Sequence, residues 1–211
     1  MCYTAEEIVG THNKVAATFM REITFDIETR NLIPAFARGD MTRLDLAIVG
    51  IHDSETDLYT SYAQEELSQL WPIIEKADVL IGFNSDSFDI PLLNHYYPGD
   101  LTKIRSLDLL SEVYKSLGRR IRLQSLAEAT LGHGKSADGV KAVEWWQQGL
   151  HDKVREYCLQ DVKVTRELYD YARKHGKLKY KDLRQNKDIK IDTSAWDDAH
   201  ESSAFTHTLG L

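Results

Sequence analysis

"REITFDIET", residues 21–29, decides how the rest of the chain is read. Ile23, Phe25 and Ile27 alternate with Thr24, Asp26 and Glu28, which is the period of a β-strand. The apolar three face one way. Asp26 and Glu28 face the other, about 6.6 Å apart at roughly 3.3 Å rise per residue. Two carboxylates that close repel unless they are solvated, protonated or bound to a cation. Either the strand shows an acidic face to water, or the pair holds a cation, and the strand alone leaves both open.

Working outward, further strands are predicted over 42–53 and 56–62, joined by links short enough for hairpins. Residues 63–77 carry a helical stripe at Leu67, Leu70 and Ile74, with Pro72 as a kink or break. The short apolar run "VLIGF" (79–83) reads as a buried strand. A short helix is expected over 90–97 with Pro91 in its first turn, and a strand over 104–110. A helix over 123–132 is closed by Gly132. The longest periodic segment is 153–176, where Val154, Tyr157, Cys158, Asp161, Thr165, Leu168 and Tyr169 share one face; Arg173, Lys174 and His175 suit its last turn and Gly176 its end. Strands first, then alternating helices and strands, predict an α/β fold with a mixed β-sheet flanked by α-helices.

The 211 residues are 42% hydrophobic and 28% charged, enough for one core, so a single domain over 1–191 is expected, followed by a flexible polar tail over 192–211. A net charge of −7 disfavours nucleic acid or anionic membrane binding by the surface as a whole. Cys2 and Cys158 make neither a disulfide framework nor a zinc spacing. The first ten residues carry Glu6 and Glu7 and lack the basic start of a signal peptide. No apolar run approaches the roughly 20 residues that cross a bilayer. A cytoplasmic, non-membrane protein is the expectation.

Asp161 lies on the apolar stripe of its helix, one turn after Tyr157. A charged residue there needs a partner: an arginine elsewhere, or a shared cation with Asp26 and Glu28. Asp86 and Asp89 follow the buried strand in "GFNSDSFDIPLL", where an acid commonly caps a helix.

"FDIET", "IGFNSDSFDIPLL" and "YCLQDVKVT", in this order and at these intervals, resemble the three exonuclease motifs of the DEDD superfamily of 3′–5′ exonucleases, which have a ribonuclease H-like fold. The second motif is similar to that of B-family polymerase proofreading domains and selects Asp89 over Asp86. Tyr157 four residues before Asp161 matches the tyrosine branch; the histidine branch would need histidine where Glu156 stands. The resemblance covers roughly 21–175 and implies a stand-alone exonuclease module. It implies a two-metal-ion 3′–5′ exonuclease acting on single-stranded DNA or RNA and releasing 5′-mononucleotides. Asp26 would bridge two Mg²⁺ or Mn²⁺ ions, Glu28 and Asp161 would complete the first, Asp89 would hold the second, and Tyr157 would orient the attacking water or help to accept its proton. The implied partner is a single-stranded 3′ end, with a polymerase, helicase or repair protein left open. A non-catalytic nucleic-acid-binding or partner-binding module on the same fold is the competing reading, and a structure-specific endonuclease a third.

Other residues have two readings each. Phe83 and Asn84 either pack and turn or touch the terminal nucleotide; Phe88 reads as core. Asp108 reads as a helix cap before a metal ligand. Trp145 and Trp146 read as one core and one surface residue before a stacking platform. His133 and Lys135 lie in a Gly-rich loop without phosphate-loop spacing, which reads as an ordinary loop before a substrate lid. Residues 173–190 hold eight Lys or Arg against Asp182 and Asp188, a net of +6. Lys177, Lys179 and Lys181 within them are either solvated or track a phosphate backbone, with Arg119, Arg120 and Arg122 a smaller alternative.

Overall fold

The computed structural model describes residues 20–33, 41–133, 139–183 and 185–198. The strand of the opening motif, β1 (Glu22–Thr29), is the centre of a five-stranded mixed sheet. β2 (Leu46–Asp53) and β3 (Leu58–Ala63) extend it as an antiparallel meander on one side. β4 (Val79–Gly82) and β5 (Ser106–Asp108) extend it as parallel strands on the other. The order is β3-β2-β1-β4-β5.

Helices cover both faces. On one, Ile23, Phe25 and Ile27 pack with α1 (Leu67–Ile74) and α2 (Asp89–Leu93), the face assigned from the alternation. On the other lie α3 (Leu109–Leu117), α4 (Leu123–Leu131), α5 (Gly139–Gln147) and the 25-residue α6 (His151–His175). β2 is buried along its whole length, and so reads as a near-continuous apolar run. β1 is buried on both faces as well. The solvated acidic face that its sequence allowed is thereby excluded, because α6 lies across it.

Several boundaries differ from the sequence expectation. Residues 41–43 form a 3₁₀ turn and β2 begins only at Leu46. Pro72 does not break α1, which ends two residues later. The strand expected over 104–110 is cut to three residues, because the carboxylate of Asp108 accepts from the amides of Leu110 and Ser111 and starts α3. α5 was not anticipated. The basic run folds as a hairpin of β6 (Lys177–Asp182) and β7 (Gln185–Lys190), with Leu178 and Ile189 in the core against α3, α4 and α6. A tail from Asp192 was expected to be unpacked. Over 192–198 it is not: Trp196 is buried and stacks on Tyr169, and Arg105 donates to the carbonyls of Ala195 and Asp198.

A buried acid fastens α6 to the start of β1. Glu22 accepts from Arg166 at 2.7 Å, from Arg173 at 2.8 Å and from the hydroxyl of Tyr169 at 2.8 Å. In Glu22→Ala the two guanidiniums keep only Asp170 and Asp197, whose side chains are 52% and 60% exposed. Breaking a buried pair from one side destabilises by about 3 kcal/mol, and the melting midpoint is expected to fall by roughly 10 °C. A variant melting within a degree of wild type would show that water solvates both arginines as well as Glu22 does.

Candidate active site

The face of β1 opposite the apolar three carries Asp26, half-buried, and Glu28, buried. α6 delivers the buried Asp161 to the same place. One carboxylate oxygen from each of these three acids lies within 4.8 Å of the others. The sequence had left Asp161 a choice between an arginine and a shared site, and the fold brings it to the other two acids.

The helix can come this close because of Gly50, the β2 residue paired with Asp26. A Cβ at Gly50 would stand 2.9 Å from Sγ of Cys158 and 3.1 Å from Cγ2 of Val162. Glycine inside a strand commonly marks such a close approach, and "LAIVGIHD" displays that signal. Cys158 uses the space to donate its thiol to the Asp26 carbonyl at 3.3 Å. Burial, then the charges of Asp26, Glu28 and Asp161, push this thiol well above its usual pKa.

Tyr157 is buried with Val154, Cys158 and Ala142, its ring edge-on to Trp145 at 5.9 Å between centroids. Its hydroxyl donates to Asp161. Burial first, then the charges of Asp161, Glu28 and Asp26, push the phenol far up from its ordinary value. It is a protonated donor facing three acids.

Asp89 reaches the same strand by another route. β4 pairs with β1 only over Glu22–Thr24, so the amide of Ile27 lies beyond the end of β4. Asp89, the first residue of α2, accepts from that amide at 3.1 Å. Burial raises its carboxyl to about 7, against the lowering effect of its backbone hydrogen bonds, and Asp108 adds to the rise. Asp89 therefore stands beside the strand of Asp26 and Glu28, outside the group of three that gathers within 4.8 Å. Asp86 goes elsewhere and accepts from the hydroxyl of Ser106 at 2.6 Å.

A family model described as RNase_H superfamily matches residues 23–173, which run from β1 almost to the end of α6. The chain belongs to the ribonuclease H superfamily. No curated protein matches it. Among solved structures, the fold is similar to that of the family B DNA polymerase from the hyperthermophilic archaeon Pyrobaculum calidifontis, with a TM-score of 0.57 and 19% identity. That match covers 72% of this chain and 24% of the polymerase, so this chain spans about a quarter of that protein's length.

Within this ribonuclease H superfamily domain the remaining expected residues separate. Asn84 has the turn role: its φ of +68° is left-handed, a conformation asparagine tolerates, and its amide donates to Asp108 at 2.7 Å. Arg120 donates to the Asn84 side-chain oxygen. Phe83 and Phe88 are both half-buried and pack against the two main clusters. Trp145 and Trp146 do not divide into core and surface. Both are half-buried, and Trp146 stacks with His151 and has the Arg30 guanidinium over its ring. His133 pairs with Glu167, and Lys135 lies outside the described residues. Lys177, Lys179 and Lys181 alternate along β6, separated from Asp161 by roughly 20 Å of helix at 1.5 Å rise per residue. Lys177 already pairs with Asp188 at 2.7 Å. Among the described residues no helix is long and apolar enough to cross a membrane.

Proposed function

We propose that the protein is a divalent-metal-dependent 3′–5′ exonuclease that removes 5′-mononucleotides from the 3′ ends of single-stranded DNA or RNA. The observation that carries this reading is the convergence of Asp26, Glu28 and Asp161 within 4.8 Å from two separate elements. Their chemistry fits Mg²⁺ or Mn²⁺: the ligands are hard carboxylate oxygens, while among the described residues the nearby sulfur, Cys158, is held as a thiol that donates to the Asp26 carbonyl at 3.3 Å and lies 3.8 Å from Oδ2 of Asp26. Three neighbouring carboxylates, two of them buried, also call for a compensating positive charge. Asp26, Glu28 and Asp161 would hold one ion, and Asp89 with Asp26 a second. Ions held by these residues would supply an activated water and positive charge against the phosphate and its leaving oxygen.

The chain's own groups do the positioning. Tyr157 is fixed by Trp145 and by its hydrogen bond to Asp161, so its hydroxyl is a donor of fixed direction at the edge of the site. With that hydroxyl donating to Asp161, Tyr157 is placed to orient a water or a carboxylate. Asp89 is anchored by the Ile27 amide, which sets its distance from Asp26 and Glu28 along β1.

The direct test is a 5′-labelled single-stranded DNA and its RNA counterpart, incubated with Mg²⁺ or Mn²⁺, with chelator, and with the 3′ end blocked. Stepwise shortening that stops with chelator and with the block is expected. An intact label on both substrates with both metals would leave a binding module on the superfamily fold. Tyr157→Phe removes one positioned hydroxyl, and its single-turnover rate is expected to fall by about 10–100-fold with metal affinity and melting temperature unchanged. A wild-type rate would reduce Tyr157 to a packing residue. Loss of metal affinity would mean that the hydroxyl serves Asp161 as a ligand.

A further inference from the structure

A chain with a net charge of −7 must offer a polyanion some local positive charge that its own acids have not already neutralised. At least five of the ten arginines among the described residues are neutralised. Arg21, Arg30, Arg155, Arg166 and Arg173 each pair with a carboxylate, and Lys177 and Lys187 pair across the β6–β7 hairpin with Asp188 and Asp182. The turn between α3 and α4 differs. Arg119, Arg120 and Arg122 are all exposed there, and among the described residues none of them forms a direct ion pair with a carboxylate, although the charge of Arg119 reaches Asp182, the partner of Lys187.

Two contacts fix this turn in relation to the site. Arg120 holds the side chain of Asn84, whose left-handed backbone is pinned by Asp108. Asn84 begins the loop that ends, five residues later, at Asp89. In the other direction, Arg119 lies over the ring of Tyr180 on β6, 5.1 Å from its centroid. Asn84, Arg120, Arg119 and Tyr180 thus form a continuous line from the loop of Asp89 to the hairpin. A guanidinium resting on an aromatic face keeps its N–H edges available, and that fork matches a phosphate in two directions at once. The lysines of β6 do not belong to this line. Leu178 and Tyr180 share the inward face of the strand, and Lys177, Lys179 and Lys181 alternate onto the other.

We propose that this line is the track for the phosphodiester backbone of a single-stranded nucleic acid leaving the acidic cluster, with Arg119, Arg120 and Arg122 as its phosphate contacts. The direction of the strand rests on the exonuclease reading; the contact surface does not.

Binding of a 5′-fluorescein oligothymidylate and an oligouridylate is measured by anisotropy in chelator, as a function of salt, so that no cleavage intervenes. A single strand releases about 0.7 counterion per neutralised phosphate. The triple variant Arg119→Gln, Arg120→Gln, Arg122→Gln is expected to flatten the log K against log salt slope by about 2, and to bind at least about tenfold more weakly at low salt. The comparison variant Lys177→Gln, Lys179→Gln, Lys181→Gln is expected to flatten it by less than about 1. Arg120→Lys alone keeps the charge and is expected to keep the slope, which guards against a folding defect in the triple variant. An unchanged slope in the arginine variant, or a larger loss in the lysine variant, overturns the track. Wild-type hydrolysis of a nucleotide aryl ester, which has no backbone to follow, is read separately. If neither the ester nor an oligonucleotide is cleaved while the arginine-dependent slope persists, the exonuclease reading falls and the track stands as a binding surface.

Discussion

Asp26→Ala is expected to lose at least about 10³-fold in turnover, since a ligand set that stabilises developing charge contributes several kcal/mol to the barrier and each 1.36 kcal/mol is tenfold. The same variant, without metal, is expected to melt no earlier than wild type. Asp26 contributes one of three carboxylates whose oxygens lie within 4.8 Å, and removing one like charge relieves the other two. Its backbone carbonyl still accepts from Cys158, so the seat of α6 survives the substitution. Single-turnover cleavage and thermal melts of the metal-free proteins read the two halves independently. Activity within tenfold of wild type would remove Asp26 from the site. A lower melting temperature would identify Asp26 as a structural partner of the fold.

Gly50→Ala is expected to damage stability and rate together, although Gly50 carries no chemistry. The new methyl would lie 2.9 Å from Sγ of Cys158, a short buried side chain with nowhere to turn, and 3.1 Å from Val162. Overpacking of this kind costs about 1–3 kcal/mol. The contact sits between the strand pair that bears Asp26 and the turns of α6 that bear Tyr157 and Asp161, so relief moves Asp161 away from its partners. A misplacement near 1 Å can reduce a rate by about 10²-fold. Adding Cys158→Ala removes the clashing sulfur, so the double variant should recover much of both losses. If it recovers neither, the effect of Gly50→Ala arises from the β2 backbone and not from the approach of the helix.

The acids were legible early because their neighbours announce the geometry. Alternation in β1 separates Ile23, Phe25 and Ile27 from Asp26 and Glu28 whatever the strand packs against. An aspartate on the buried stripe of α6 is conspicuous because a core position tolerates charge only with a partner. Asp108 as a cap followed from its place ahead of an apolar run. Other elements gave weaker local signals. β5 and α3 share "SLDLLSEVYKSL", where apolar residues crowd too closely to separate a three-residue strand from a helix start. The β6–β7 hairpin reads as a basic surface because five of the six residues of β7 and most of those of β6 are polar, leaving Leu178, Tyr180 and Ile189 as a thin apolar trace.

By itself, then, the sequence determined the two periodicities that put carboxylates on one face of a strand and one stripe of a helix, since those depend only on backbone geometry. Only the tertiary structure decided which cover each strand face receives and who neutralises whom. It put α6 across β1 through Gly50, turned Asp89 to the Ile27 amide while Asp86 went to Ser106, and paired Lys177 and Lys187 of the basic run with its own two acids. It also left the unpaired arginines on the α3–α4 turn beside Asn84. The physical reason is range: a side chain's direction is set within a few residues of its own backbone, whereas its burial and its charge partner come from segments far away in the chain, as Glu22 and Arg173 show across the length of the domain.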